Sequence, residues 1–315
     1  ETAYTGVKAV AGNFPGANPQ FTFNPSTGLV NGSLSVLPYF EEFAVSGTNL
    51  TADLTVTPPA NFQVSTNQTT WIGSTTTPTT LTLAQSGGSV SSTTIFVRTT
   101  PGIAANSYSG NITVTSTGAT NQTKAVTATI LAPTVISSQP TPTVNLCQGA
   151  SHTLGASATG SGSLQYQWFS NTTNSNTGGT SLGSANFAQT GGLQIVTTTP
   201  GTYYYYLQVT GSCGTAVSNV TTIVISPTSV AGTASAASAS VCTGTSTTLS
   251  LTGHTGTIQW QQSANGTSGW ANVTGGTGAT TAAYTTPALS STTFYRAVVT
   301  SGNCTAVNSN AVTIT

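Results

Sequence analysis

Catalysis needs titratable groups within reach of one another, and this 315-residue chain holds few. Its acids are Glu1, Glu41, Glu42 and Asp53, and its histidines are His152 and His254. A glycosidase needs two facing carboxylates, which here would be Glu41 or Glu42 with Asp53. Glu41-Glu42 instead reads as a solvated pair ahead of a strand. Ser151 and His152 are neighbours in sequence, whereas a nucleophile and its base meet across a fold and are oriented by a third group. The one Gly-x-Ser-x-Gly string, residues 179–183, lies in a Gly/Ser/Asn-rich stretch that reads as loop and weak edge strand, without the strand-to-helix turn of a nucleophile elbow. The two histidines lack a third ligand for zinc, and a single Asp speaks against calcium, whose sites are built from clustered oxygens. The expectation is a protein that is not an enzyme and takes no metal or other cofactor.

The other reactive side chains are four cysteines, Cys147, Cys213, Cys242 and Cys304. They point to disulfides and an oxidising compartment. Counting suggests Cys147 with Cys213 and Cys242 with Cys304. An Ig-like strand order, however, puts the two members of each pair at opposite ends of a sandwich, beyond the roughly 7 Å that a bridge tolerates between Cα atoms. Either the strand order differs or bridges join neighbouring domains, as Cys147 to Cys304; the within-domain pairing is the expectation. The remaining contact candidates are Tyr203, Tyr204, Tyr205 and Tyr206. Alternation along a strand sends one pair to the core and leaves the other outside, where tyrosines stack on sugars or bury against a second subunit.

The elements that carry these residues repeat. Thr202 to Cys213 (TYYYYLQVTGSC) recurs as Thr293 to Cys304 (TFYRAVVTSGNC), and each copy follows a Cys-x-Gly turn (Cys147, Cys242) and a strand tryptophan (Trp168, Trp260). A unit of about 90 residues is therefore duplicated. Ahead of it, Leu54/Val56, Phe62/Val64, Leu81/Leu83, Ile95/Val97 and Ile112/Val114 are spaced as half-buried strands. Turn residues punctuate them at Pro58-Pro59, Gly87-Gly88, Pro101-Gly102 and Ser109-Gly110. The expected fold is all-β, three tandem Ig-like or fibronectin-type β-sandwich domains in an extended row. The expected boundaries are 1–132 (cysteine-free, opening on a strand or arm over 1–16), 133–227 and 228–315.

Charged residues make up 3% of the chain, against roughly 25% in an average soluble protein. With a formal net charge of zero there is no basic stripe for nucleic acid and no polybasic face for lipid. No apolar run is long enough to insert into a membrane as a helix. Absent charge also removes the repulsion that keeps copies apart, which favours self-association into a homopolymer or fibre. With no methionine, the chain reads as a mature secreted product or a fragment of one.

The third unit, with Val241-Cys-Thr-Gly, Ile258-Gln-Trp, Gly269-Trp-Ala-Asn-Val and Phe294-Tyr-Arg-Ala-Val-Val, resembles the Ig-like repeats of large secreted surface proteins of Bacteroidota. The second unit resembles them more loosely, having no tryptophan in the place of Trp270. The first is similar to a companion module through Ser46 to Thr51 and Pro58 to Ser65. The resemblance implies export by the type IX route and use as stalk, adhesin or accessory region. The functional expectation is a non-catalytic extracellular structural or adhesive surface protein, a self-associating fibre subunit or stalk segment. The alternative is a glycan-binding accessory region of a secreted polysaccharide-degrading enzyme, with surface glycans as partners.

Overall fold

The computed structural model describes residues 20–25, 41–76 and 79–315. The expected N-terminal strand or arm, residues 1–16, lies outside the described residues. Among those described, the chain is all-β apart from one short 3-10 turn, Ala185–Phe187. It divides into two compact units, one of Glu1–Pro133 with Ser212–Gly214 and one of Thr134–Gly211 with Thr215–Thr315.

In the first unit the strands are β1 (Gln20–Pro25), β2 (Glu41–Thr48), β3 (Leu54–Thr57), β4 (Phe62–Ser65), β5 (Leu81–Leu83), β6 (Val90–Thr99), β7 (Asn106–Thr115) and β8 (Gln122–Ile130). They form two antiparallel sheets, β1-β2-β6-β4 and β5-β3-β7-β8. Side chains alternate across a strand, so Leu54, Val56, Phe62, Val64, Ile95, Val97, Ile112 and Val114 all point into one buried cluster with Phe43 and Val45. Gly110 is a correction to the sequence reading. It sits inside β7, not in a turn, and a Cβ there would come within 2.6 Å of the Pro59 ring. A strand glycine here marks a close approach by a neighbouring segment.

The second unit contains two more sandwiches. The earlier one is built from β9 (Val135–Ser138), β10 (Thr143–Cys147), β11 (His152–Gly155), β12 (Ser157–Thr159), β13 (Gln165–Asn171), β14 (Thr180–Ser181), β15 (Gly192–Ile195), β16 (Gly201–Gly211), β17 (Gly214–Val217) and β18 (Thr221–Ser226). One face is the sheet β10-β18-β16-β13-β14, with β17 on β16; the other consists of the pairs β11-β15 and β12-β9. The later sandwich has β19 (Thr233–Ala236), β20 (Thr248–Thr252), β21 (Thr257–Ser263), β22 (Ala271–Asn272), β23 (Ala283–Thr285), β24 (Thr293–Thr300), β25 (Val307–Asn308) and β26 (Val312–Ile314). Its sheets are β19-β20-β23 and β22-β21-β24-β25, with β26 on β24. The small-residue run around Ala234 forms strand β19, and Ala234 is buried against β20.

Both sandwiches are nailed by the same two devices. Trp168 and Trp260 have no solvent exposure, and their indole N–H groups donate to the carbonyls of Thr190 (3.0 Å) and Thr281 (2.9 Å). Each buried ring therefore satisfies its polar atom. Ser218 and Ser309 interrupt the last strand alike. Their hydroxyls accept from the Leu207 and Ala297 amides (2.8 and 2.9 Å) and donate to the carbonyls of Asn219 and Asn310 (2.8 and 2.9 Å). A lone hydroxyl thus fills a gap in the ladder that a bulge would otherwise leave unpaired.

Replacing Trp260 by Ala removes the largest side chain of the third core and strands the Thr281 carbonyl. Large-to-small core changes of this kind cost about 3–5 kcal/mol, so the denaturant midpoint of W260A is expected to drop by that equivalent. A loss below about 1 kcal/mol would show that the ring does not anchor the sheets.

Candidate functional site

Among the described residues the candidate catalytic groups are not brought together. Glu41 and Glu42 open β2, while Asp53 stands just before β3 of the opposite sheet. Asp53 is structural, its Oδ1 accepting the Gln85 amide at 3.0 Å. His152 lies on β11, and His254, in the turn before β21, keeps Nδ1 buried with no hydrogen-bond partner. Among the described residues no three His, Cys, Asp or Glu side chains cluster as metal ligands would.

The cysteines are paired otherwise than counting suggests. Cys147 is bridged to Cys304, with Cα atoms 4.8 Å apart, while Cys213 and Cys242 are free. Register explains why neither within-domain pair can form. Strand β10 runs parallel to β18 with Cys147 opposite Ser226, and β16 runs antiparallel to β18 with Gly201 opposite Ile225. Cys147 is therefore level with the start of β16, whereas Cys213 follows its far end at Gly211. Ten strand residues separate the two levels by about 33 Å at roughly 3.3 Å each. The same arrangement holds Cys242 away from Cys304, since Val241 is bonded to Thr315 beside the start of β24.

The neighbouring sandwich supplies the partner instead. Pro227 follows β18 and starts the linker, and the β24–β25 hairpin folds back over it. Asn303 Nδ2 donates to the Asn145 carbonyl (3.1 Å), and the Ser301 amide donates to Ser229 Oγ (3.0 Å). Gly302, at φ 49°, leaves no space for a Cβ because Ser226 Oγ occupies it. These contacts bring Cys304, whose amide donates to the Ser301 carbonyl at 2.9 Å, to the end of β10. The two sandwiches of the second unit are thus joined by a peptide linker and a disulfide 157 residues apart in sequence.

The four tyrosines divide by face as alternation requires, but not into core and surface. Tyr203 and Tyr205 pack against the core. Tyr206, on the opposite face, is only 4% exposed. Its ring stacks on Phe169 at 5.2 Å, and its hydroxyl accepts the Gly179 amide at 3.1 Å. The loop over 172–179 is held down on it by Asn171, whose Nδ2 donates to the carbonyls of Ser175 and Thr177 (2.9 and 3.0 Å), and by Asn176, which donates to Ser218 O (3.1 Å). Tyr206 is accordingly no surface contact. Tyr203 and Tyr204 stay half exposed, and the Tyr203 hydroxyl donates to Thr199 O at 3.0 Å.

A second aromatic arrangement is not evident from strand alternation. Arg98 lies 4.2 Å over the Trp71 ring and Arg296 4.4 Å over the Trp270 ring. Each guanidinium also donates to a glutamine directly across the ladder, Arg98 Nε to Gln63 Oε1 (2.8 Å) and Arg296 Nε and Nη2 to Gln261 Oε1 (3.1 and 2.9 Å). Matching turns aim the tryptophans. Ser65 Oγ and Asn67 Oδ1 accept the next backbone amides ahead of Trp71, and Ser263 and Asn265 do the same ahead of Trp270. The signal in sequence is a Gln and an Arg 35 residues apart in both places. These half-buried stacks fix side chains on the outer sheet faces, each worth about 0.5–2 kcal/mol.

Residues 230–315 match a family model described as Domain of unknown function (DUF8696). No curated protein sequence matches the chain. Solved structures it resembles include the titin I-band fragment I67–I69, at 12% identity and TM-score 0.48, covering 95% of this chain and 98% of that one. Sidekick-1 immunoglobulin domains 1–4 align at 10% identity and TM-score 0.42, with 94% and 90% of the two chains covered. Domains 3–5 of Drosophila OTK align at 10% and 0.41, covering 88% and 91%.

Removing the bridge as C147S/C304S is expected to lower the stability of the joined sandwiches by about 2–5 kcal/mol and to split one calorimetric transition into two. A single unchanged transition would show that the linker alone couples them. Alkaline stability tests the tyrosine environments. Burial first, then the nearby Tyr284, push the Tyr295 phenol up to about 12 against a hydrogen bond with Thr293. The folded state therefore holds this proton more tightly than the unfolded chain, whose phenol titrates near 10. Stability is fully present below about pH 10 and declines as pH rises toward 12. The slope of denaturant midpoint against pH over that window should be shallower in Tyr295→Phe; equal slopes would assign the alkaline loss elsewhere.

Proposed function

We propose that the protein is a non-catalytic extracellular structural or adhesive element of a cell surface, a fibre subunit or stalk segment whose copies associate with one another. The observation that carries this reading is the disulfide between successive sandwiches. Such a bridge persists only under oxidising conditions, and its use is to keep neighbouring domains from swinging apart. A zero formal charge leaves little to oppose side-by-side packing. We further assign three domains, 1–132, 133–227 and 228–315, with export by the type IX route.

A second reading rests on the Trp71–Arg98 and Trp270–Arg296 stacks. Tryptophans held on outer sheet faces suit stacking on sugar rings, which would make the chain a glycan-binding accessory region of a polysaccharide-degrading enzyme. Electron microscopy of the purified full-length chain over rising concentration separates the two. Ordered filaments are expected. Monomers at every concentration, together with polysaccharide retention in affinity electrophoresis that W270A abolishes, would overturn the fibre reading in favour of the glycan one.

A further inference from the structure

Cys242 stands in a copy of the turn that holds Cys147. In the earlier sandwich the Ala150 amide closes on the Cys147 carbonyl at 3.0 Å, with Gly149 at φ 84°. In the later one the Thr245 amide closes on the Cys242 carbonyl at 3.0 Å, with Gly244 at φ 81°. The glycine amides donate across to Thr197 O (3.1 Å) and Leu289 O (2.7 Å) respectively. The segments leading in also agree. Asn145 is opposite Val224 in a parallel pairing. Thr315 likewise donates to the Ala239 carbonyl and accepts from the Val241 amide, both at 2.9 Å, the pattern of a parallel bridge centred on Ser240. The interrupting serines, Ser218 and Ser309, place Val224 and Thr315 at the same distance along their strands. Cys242 thus occupies the Cys147 position in backbone, turn and register. Cys147 is bonded to a hairpin cysteine of the next sandwich, and Cys242 is free and exposed.

We propose that Cys242 is the acceptor half of the same staple, and that it forms a disulfide with a cysteine in the β24–β25-type hairpin of another Ig-like domain. Repetition of the Cys147–Cys304 geometry one domain further on would place such a hairpin over the Cys242 turn. Joining the thiols releases two protons and two electrons, and the electrons reduce a disulfide oxidant such as glutathione disulfide to two thiols. The hairpin thiol has two sources. One is an Ig-like domain other than those described here. The other is Cys213 of a second copy, which sits in the β16–β17 turn and is also free. The inference deepens the self-associating reading by naming a covalent contact, but it does not depend on filaments being seen.

The test is peptide mapping by mass spectrometry, without reduction, of iodoacetamide-blocked native material. Recombinant full-length chain oxidised with glutathione disulfide is mapped in parallel. Cys242 is expected in a cross-linked peptide whose other half is a hairpin cysteine. If that half is Cys213, the source is a second copy; any other hairpin sequence identifies a further domain. A C242S chain should lose the covalent species while keeping the Cys147–Cys304 peptide. Recovery of Cys242 from native material as the alkylated thiol, as a glutathione adduct or joined to another Cys242 would overturn the proposal. Filaments with Cys242 alkylated would leave the self-association reading standing and overturn the bridge, whereas Cys242 joined to the hairpin of a further domain, with no filaments, would leave the bridge standing and overturn self-association.

Discussion

The parallel pairing of Thr143–Cys147 with Thr221–Ser226 is the constraint on which the joined sandwiches depend. It delivers Cys147 to the end of the sandwich where the chain leaves for the next one. From that position no cysteine of its own domain is within reach, and the hairpin of the following domain is. A slip of one residue would turn the thiol to the other face of the strand. The disulfide is therefore a consequence of sheet register, and in turn it holds the hairpin over Ser226 and Asn145.

In a chain with so few charges, Ser, Thr and Asn settle many of the polar groups. Ser218 and Ser309 stand in for a missing ladder partner. Ser65, Asn67, Ser263 and Asn265 close the turns before the tryptophans through short side-chain to backbone bonds. Such local bonds favour turns over helix, in agreement with a structure whose only described helical element is a three-residue 3-10 turn. The composition that makes the sequence unusual is thus used as scaffolding.

Much of the fold was legible because strand alternation is a local property. Leu54, Val56, Ile95 and Ile112 are buried as their spacing predicts. Cys213 and Cys304 each fall eleven residues after a threonine, which suggests a strict repeat. Their strands are nevertheless offset. Trp168 is opposite Leu207 and Trp260 opposite Ala297, so Tyr205 corresponds to Tyr295 and the later hairpin has one more residue before its cysteine. Equal spacing in sequence concealed unequal loops in space. Tyr206 departs from the expected surface contact for a related reason. Alternation gives the face of a sheet a residue occupies, but the covering loop is held by Asn171 and Asn176 through contacts that no periodicity encodes.

By itself the sequence determined the strand class, the alternation that fills three hydrophobic clusters, the duplicated unit and the scarcity of groups able to do chemistry. These follow from side-chain type and period two. Only the tertiary structure decided which cysteines meet, which tyrosine is covered and which tryptophans lie against arginines. Each of these is a distance between segments far apart in the chain, fixed by strand register and linker geometry, and a one-dimensional pattern contains no measure of such a distance.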